Sequence, residues 1–315
     1  MVFGIIRIVS TMALAYDPEP TSTNIHDTTG AAVEIWKDFK TGRFWRHFLV
    51  AAFSAVGFFA AVLGLYDAIF PGAISHEKVA ISLGIIVISI AYGAFRSWPR
   101  PIEQQYNLPN VKISLVKGDL FDQDGHLVIG MCTTFDTSIP DIIARSSVQG
   151  QFLDRVFSGS AAELDMQLER SLSRYQPVGR INKSGKQEKY AIGTVATLKE
   201  HARRYFCVAY TEMNERNEAR GTMDDIWRSL DNLWKAITAE ANGGRVCIPV
   251  IGGGQSRLSQ VLPAQDSIRF IAMSFMFASR SEKICDELVI VARQNEYERL
   301  DRLEVQSFLR SLRPS

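Results

Sequence analysis

Two uncharged apolar runs near the amino end constrain this chain more than any other feature. Phe48–Tyr66 reads FLVAAFSAVGFFAAVLGLY and Val79–Phe95 reads VAISLGIIVISIAYGAF. As helices they would be about 28 Å and about 25 Å long, close to the ~30 Å of bilayer hydrocarbon. A core helix of a soluble domain normally keeps a polar face. These runs keep only scattered Ser and Gly, which membrane helices use for close packing. Between them Asp67–Lys78, with Pro71, Gly72, His76 and Glu77, is short enough to join two antiparallel helices. We therefore expect a transmembrane hairpin over residues 44–98, with spans at about 48–66 and 79–95.

The flanks orient it. Lys37, Lys40, Arg43 and Arg46 precede the first run, and Arg96 and Arg100 follow the second, whereas the connector sets one Lys against Asp67 and Glu77. Lys and Arg collect on the cytoplasmic side, so the expectation is a multi-pass inner-membrane protein with both termini cytoplasmic. Trp45 and Trp98 would share one interface. Residues 1–43 read as a tail. Val2–Ala15 is apolar and ends in the cleavage-like Ala13-Leu14-Ala15, but Arg7 interrupts it too early for a signal peptide.

The net charge of +1 gives no field for nucleic acid, and none is expected as a partner. The four cysteines, Cys132, Cys207, Cys247 and Cys285, form no C-x-x-C pair and have no His at ligand spacing. They read as buried, reduced thiols of a cytosolic part, and no metal is expected.

Residues 99–109 read as a linker, and 110–315 as a soluble domain with a C-terminal helix. Val111–Val116 alternates apolar and polar, His126–Met131 is a short apolar run, and Arg204–Tyr210, Val246–Ile251 and Leu288–Ala292 are further strands. Gly150–Arg174 has helical spacing. Thr222-Met223-Asp224-Asp225 forms a capping box with Asp in place of Glu, ahead of Ile226, Leu230, Leu233, Trp234 and Ile237 on one face. Gly243-Gly244 ends that helix. Others are expected over Pro263–Ala278 and Glu296–Leu312. Alternating strands and helices argue an α/β sheet flanked by helices.

Three features bear chemistry. Gly252-Gly253-Gly254 follows a buried strand and precedes Gln255, Ser256 and Arg257. Backbone amides there can turn toward an anion and Arg257 can neutralise a phosphate, although such a run also serves as a plain turn. It is neither a P-loop nor G-x-G-x-x-G. Asp119 sits between a strand and Leu120-Phe121, as a turn residue or a ligand contact. Ser147-Val148-Gln149-Gly150-Gln151 precedes an apolar helix whose N-terminal amides could hold an anion.

Together these resemble a known pattern. Val116-Lys117-Gly118-Asp119-Leu120 looks like the V-x-x-G-D-[IL] opening of macro domains. Ser147–Gly150 stands at their first phosphate loop, and Val246–Gly254 at their second. More narrowly, Gly118–Asp122, Phe135–Thr137 and Ser147–Phe152 are similar to the macro domains of ThsA-type effectors in Thoeris antiphage defence. One branch of that family couples two transmembrane helices to a C-terminal macro domain. The resemblance covers about residues 110–295. It implies a macro-domain-like mixed sheet with flanking helices, binding an ADP-ribose derivative. It implies that Asp119, beside Leu120, accepts from the adenine amino group. It also implies that Val148, Gln149, Gly150 and Gln151 with Gly252, Gly253, Gly254, Gln255, Ser256 and Arg257 clasp the diphosphate. Thr133 lies in the same region, and Phe135 either stacks on the ligand or packs the core.

The implied function is an effector that senses a signal made by a TIR-domain partner enzyme, oligomerises, and disrupts the membrane with death or arrest of the infected cell. Hydrolytic macro domains carry an Asn-rich run where this chain has Met131-Cys132-Thr133-Thr134, and no general base stands beside the glycine loops. No catalytic residue and no cofactor are expected, which favours a sensor. The rivals are a membrane-tethered ADP-ribosyl hydrolase and a passively anchored binding module.

Overall fold

The computed structural model describes residues 42–71, 78–97, 101–252 and 262–313. The amino-terminal tail, Trp98 and the segment Gly253–Arg257 lie outside the described residues. The chain divides into two compact units, Met1–Arg100 and Pro101–Ser315.

The first unit contains α1 (Gly42–Ile69) and α2 (Lys78–Ser97). Apolar stretches long enough to cross a membrane run over Phe48–Ile69 and Val79–Arg96. The first reaches three residues past the expected end at Tyr66 and takes Asp67 into the helix. Their large side chains point outward: Phe53, Phe58, Leu65, Val79, Val87 and Phe95 are all exposed. The helices meet through a small residue. A Cβ on Gly93 would come within 3.0 Å of the Phe48 ring and 3.2 Å of the Ala52 Cβ, so the two helices approach closely at this glycine. Ser89 is buried. The Ser54 hydroxyl donates to the Val50 carbonyl at 2.7 Å, returning its polarity to its own helix. Gly57, Gly64 and Gly84 have nothing within 4 Å of a Cβ and sit on open faces.

The second unit is built on an eight-stranded sheet. Its strands are β1 (Ile102–Asn107), β2 (Asn110–Lys117), β3 (His126–Cys132), β6 (Val195–Glu200), β7 (Arg203–Met213), β8 (Ala219–Arg220), β9 (Val246–Pro249) and β10 (Glu287–Ala292). Two more, β4 (Gly179–Arg180) and β5 (Glu188–Lys189), form a separate hairpin. The order in the sheet is β1-β2-β10-β9-β3-β7-β6, with β8 on β7. The strands β2, β10, β9, β3 and β7 run parallel, and β1 and β6 close the edges antiparallel.

β1 corrects the expected linker. Ile102, Gln104 and Tyr106 alternate inward, and the Tyr106 hydroxyl donates to the buried Leu309 carbonyl at 2.6 Å. This segment is an edge strand covered by a helix. The C-terminal helix is also not continuous. It divides into α7 (Gln294–Tyr297) and α8 (Arg302–Ser311) because Asp301 caps the second, accepting from the Glu304 amide.

The remaining helices are α3 (Val148–Val156), α4 (Ala161–Leu172), α5 (Met223–Glu240) and α6 (Ala264–Ser281). They cover two faces. On one, Phe152, Leu164 and Leu168 of α3 and α4 pack on Leu127, Ile129 and Val289. On the other, α5, α6 and α8 bring Leu233, Phe275 and Val305 against Val128, Ile248 and Ile290. The α5 start follows its sequence: the Thr222 hydroxyl accepts from the Asp225 amide and the Asp225 carboxylate accepts from the Thr222 amide. The face Ile226, Leu230, Leu233, Trp234 and Ile237 is buried throughout. All four cysteines are buried and unpaired by disulfides.

Leu233 is fully enclosed, whereas Thr222 caps an exposed helix end. Leu233→Ala should cost about 2–5 kcal/mol by leaving a cavity, and Thr222→Ala about 1 kcal/mol by freeing an amide. Chemical denaturation of the detergent-solubilised chain, followed by tryptophan fluorescence, measures both. Equal costs would contradict this division between core and cap.

Candidate functional site

The sheet opens at the border of β9 and β3. From β9 the chain crosses to β10 through α6 on one face. From β3 it leaves for α3 and α4 on the other. Connections that diverge from neighbouring parallel strands leave a crevice beyond their carboxyl ends, where such sheets bind ligands. A cleft of about 650 Å³ lies there. Its walls include Cys132 of β3, Tyr210 and Thr211 of β7, Pro249 to Gly252 after β9, and Arg293 after β10. Ile142, Ser147, Asn217 and Glu218 from the loops, Val148 and Gln149 from the first turn of α3, and Glu296 also line it.

Three of the expected contacts, Val148, Gln149 and Gly252, line this cleft. Gly252 has φ +101°, a conformation that favours glycine. Ser147 caps α3, its hydroxyl accepting from the Gly150 amide at 3.0 Å, and the Gln151 amide reaches the Ser147 carbonyl. That leaves the first-turn amides of Val148 and Gln149 without an acceptor among the described residues. Gly150 serves the turn itself, because a Cβ there would come within 2.5 Å of the Ala144 carbonyl.

Other expected contacts sit elsewhere. Asp119 caps a 3-10 turn over Leu120–Asp122, accepts from the Phe121 amide at 2.8 Å, and pairs with Arg155 at 2.8 Å. Leu120 and Thr133 are buried. Phe135 is fully buried at φ +49°, edge-on to Tyr190 at 5.7 Å, and so takes the core role of its two expected ones. None of these four is a wall of the cleft. The residues Gly253, Gly254, Gln255, Ser256 and Arg257 lie outside the described residues.

Behind the wall is a feature that sequence reasoning missed. Lys183 Nζ lies 2.9 Å from both carboxylate oxygens of Asp136, with both side chains almost fully buried. Asp136 Oδ1 also accepts from the Lys186 amide at 2.9 Å, and Oδ2 from the Thr134 hydroxyl. The Asp136 carbonyl accepts from the side-chain amide of Gln149, a cleft residue. Gly185, at φ +81°, allows the approach: its Cβ would fall 2.5 Å from Asp136 Oδ1 and 2.3 Å from Ile142. One buried pair thus ties the loop after β3 to the segment before β5. Lys183 sits in Asn182-Lys183-Ser184-Gly185, which reads as a solvated turn, so no local signal marks it.

The chemistry available in the cleft is recognition chemistry. No histidine lines it among the described residues. Glu296 accepts from the Arg293 amide at 3.0 Å, and Glu218 accepts from the Asn214 side chain at 3.0 Å. Burial, reinforced by the charge on Asp136 and opposed by the Thr134 hydrogen bond, pushes the Cys132 thiol above its ordinary value. It stays protonated near neutral pH and is a poor nucleophile. Among the described residues no group of His, Cys, Asp and Glu is arranged to hold a metal ion.

A mixed sheet with helices on both faces and a cleft at its carboxyl edge is the architecture of a macro domain. The model of the Thoeris protein ThsA macro domain matches residues 113–293, more than half of the chain, and the chain belongs to that family. The Thoeris protein ThsA of Bacillus amyloliquefaciens (strain Y2) is 23% identical over 237 residues, covering 73% of this chain and 77% of that protein. Among solved structures, the Oceanobacillus iheyensis macrodomain with ADP is 10% identical at a TM-score of 0.42, covering 68% of this chain and 96% of that one. The Trypanosoma brucei macrodomain in complex with ADP-ribose is 12% identical at a TM-score of 0.39, covering 63% and 71%.

Removing one member of a buried ion pair leaves a charge without a partner. Lys183→Met should therefore destabilise the domain by about 3–5 kcal/mol. Adding Asp136→Asn should recover most of that, because Asn keeps an acceptor for the Lys186 amide and no charge is stranded. Denaturation curves of the single and double variants test this. A double variant no more stable than Lys183→Met would contradict it.

Proposed function

We propose that this chain is a membrane-anchored Thoeris effector. Its macro domain binds an ADP-ribose-derived nucleotide made by a TIR-domain enzyme. Binding drives homo-oligomerisation, and the assembled hairpins disrupt the inner membrane of the infected cell. The observation that carries this reading is the joining, in one chain of the ThsA family, of a ligand-sized cleft to two helices whose outer faces are almost wholly apolar. The two apolar runs of the hairpin carry no charge and only scattered hydroxyls, so the signal enters through the cleft.

Further support comes from the cleft chemistry. Among the described residues it offers a guanidinium donor but no histidine, and its two carboxylates are engaged. That favours a sensor over a membrane-tethered hydrolase. The basic flanks on both sides of the hairpin favour cytoplasmic termini, with the macro domain on the side where NAD is consumed.

A signal shifts a conformational equilibrium only through its differential affinity for the two states. A single two-helix hairpin is too thin to enclose a path, so several must gather. The open faces at Gly57 and Gly64 suit that association, because substitution there disturbs nothing inside the hairpin.

Liposomes loaded with dye and carrying the full-length chain test the reading. Leakage should follow addition of the products of a TIR-domain enzyme acting on NAD, and chromatography in detergent should show a rise in oligomeric state. A Gly57→Leu, Gly64→Leu chain should insert and bind ligand normally but leak less. Sealed liposomes, with the added nucleotide consumed by the chain, would establish the hydrolase reading instead.

A further inference from the structure

We propose that Arg293 is the phosphate-contacting cation of the cleft. It would pair its guanidinium with the diphosphate of the bound nucleotide and make the site select charged nucleotides over nucleosides. The inference rests on the nucleotide reading above and adds a residue to it.

Arg293 is the sole Lys or Arg among the described residues that line the cleft, whose walls also carry Glu218 and Glu296. An anionic ligand entering such walls needs a positive group, and among the described residues that line them Arg293 is the one that supplies it. The backbone of Arg293 is firmly held. Its amide donates to the Glu296 carboxylate at 3.0 Å, and its carbonyl accepts from the amides of Glu296 at 3.0 Å and Tyr297 at 2.9 Å. The Glu296 carboxylate thus engages the amide of Arg293 in the first turn of α7.

Among the described residues the head of Arg293 is barely committed: its guanidinium makes one long contact, 3.4 Å to the Ser146 carbonyl. A guanidinium has five N–H donors in a planar fork suited to phosphate oxygens. An anchored base with an uncommitted head is the arrangement expected of a contact residue. A structural arginine would spend its donors inside the protein, as Arg155 does on Asp119 and Asp122. The Ser146 contact also keeps the head beside the start of α3, whose first-turn residues Val148 and Gln149 line the same cleft. Phosphate oxygens placed there would meet amide and guanidinium donors together.

The test is calorimetry of the full-length chain in detergent micelles with ADP-ribose, ADP and adenosine, for the wild type, Arg293→Ala and Arg293→Lys. Losing a charged hydrogen bond should weaken ADP-ribose and ADP by about ten- to a hundredfold in Arg293→Ala. Arg293→Lys should fall between, because it keeps the charge and loses the fork. Adenosine should bind all three proteins alike. The apparent affinity of ADP-ribose should also depend less on salt in Arg293→Ala. Unchanged ADP-ribose affinity in Arg293→Ala, or an equal loss for adenosine, would overturn the assignment while leaving the nucleotide reading standing. A wild type that binds neither ADP-ribose nor ADP would overturn both.

Discussion

Neighbouring parallel strands whose chains depart to opposite faces of a sheet cannot have the gap between them filled by either connection. That constraint at the β9–β3 border creates the cleft on which the functional account depends. It also explains how the chain spends its hydrophobic residues. Both faces of the central strands are buried, so Val246–Pro249 and Glu287–Ala292 are almost entirely inward and carry no alternation. Polar groups are displaced to the carboxyl ends, where the loops meet. There the buried Lys183–Asp136 pair fixes the loop after β3, and through the Asp136 carbonyl it fixes Gln149. The cleft wall at Gln149 is thus braced by the ion pair behind it.

The unit of two apolar helices obeys the opposite rule. Its hydroxyls and glycines are few, and the structure sorts them by face. Gly93 and Ser89 serve the contact between α1 and α2, whereas Gly57, Gly64 and Gly84 are left open. In hydrocarbon, where apolar surface gives no drive for helices to associate, small residues that permit close approach are the main lever for assembly.

Much of this was legible in the sequence, for identifiable reasons. The α5 helix carries a capping box, a clean apolar face and a glycine stop, so each level of the pattern agrees. The hairpin announces itself by the absence of charge. What escaped was non-local. β1 looked like a linker because its inward residues include Gln104 and it lies near Pro101 and Pro109; its burial depends on α8, some two hundred positions later. The closing helix looked continuous because Asp301 is as good a surface residue as a cap. Lys183 and Asp136 lie 47 residues apart, and nothing near either suggests burial of a charge. At the site, Val148, Gln149 and Gly252 of the residues that the resemblance named line the cleft, whereas Asp119, Leu120, Thr133 and Phe135 do not. Arg293 follows a strand with no motif of its own, and only the fold brings it to the same wall.

The central claim is that a nucleotide occupies the carboxyl edge of the sheet. Amide hydrogen exchange of the full-length chain in micelles, with and without saturating ADP-ribose, tests it most directly. The account predicts slowed exchange at residues 147–150, 210–219, 250–252 and 291–296, with no change at the amino ends of the strands around His126 and His201–Arg203. Protection confined to that opposite edge, or none at either, would contradict it.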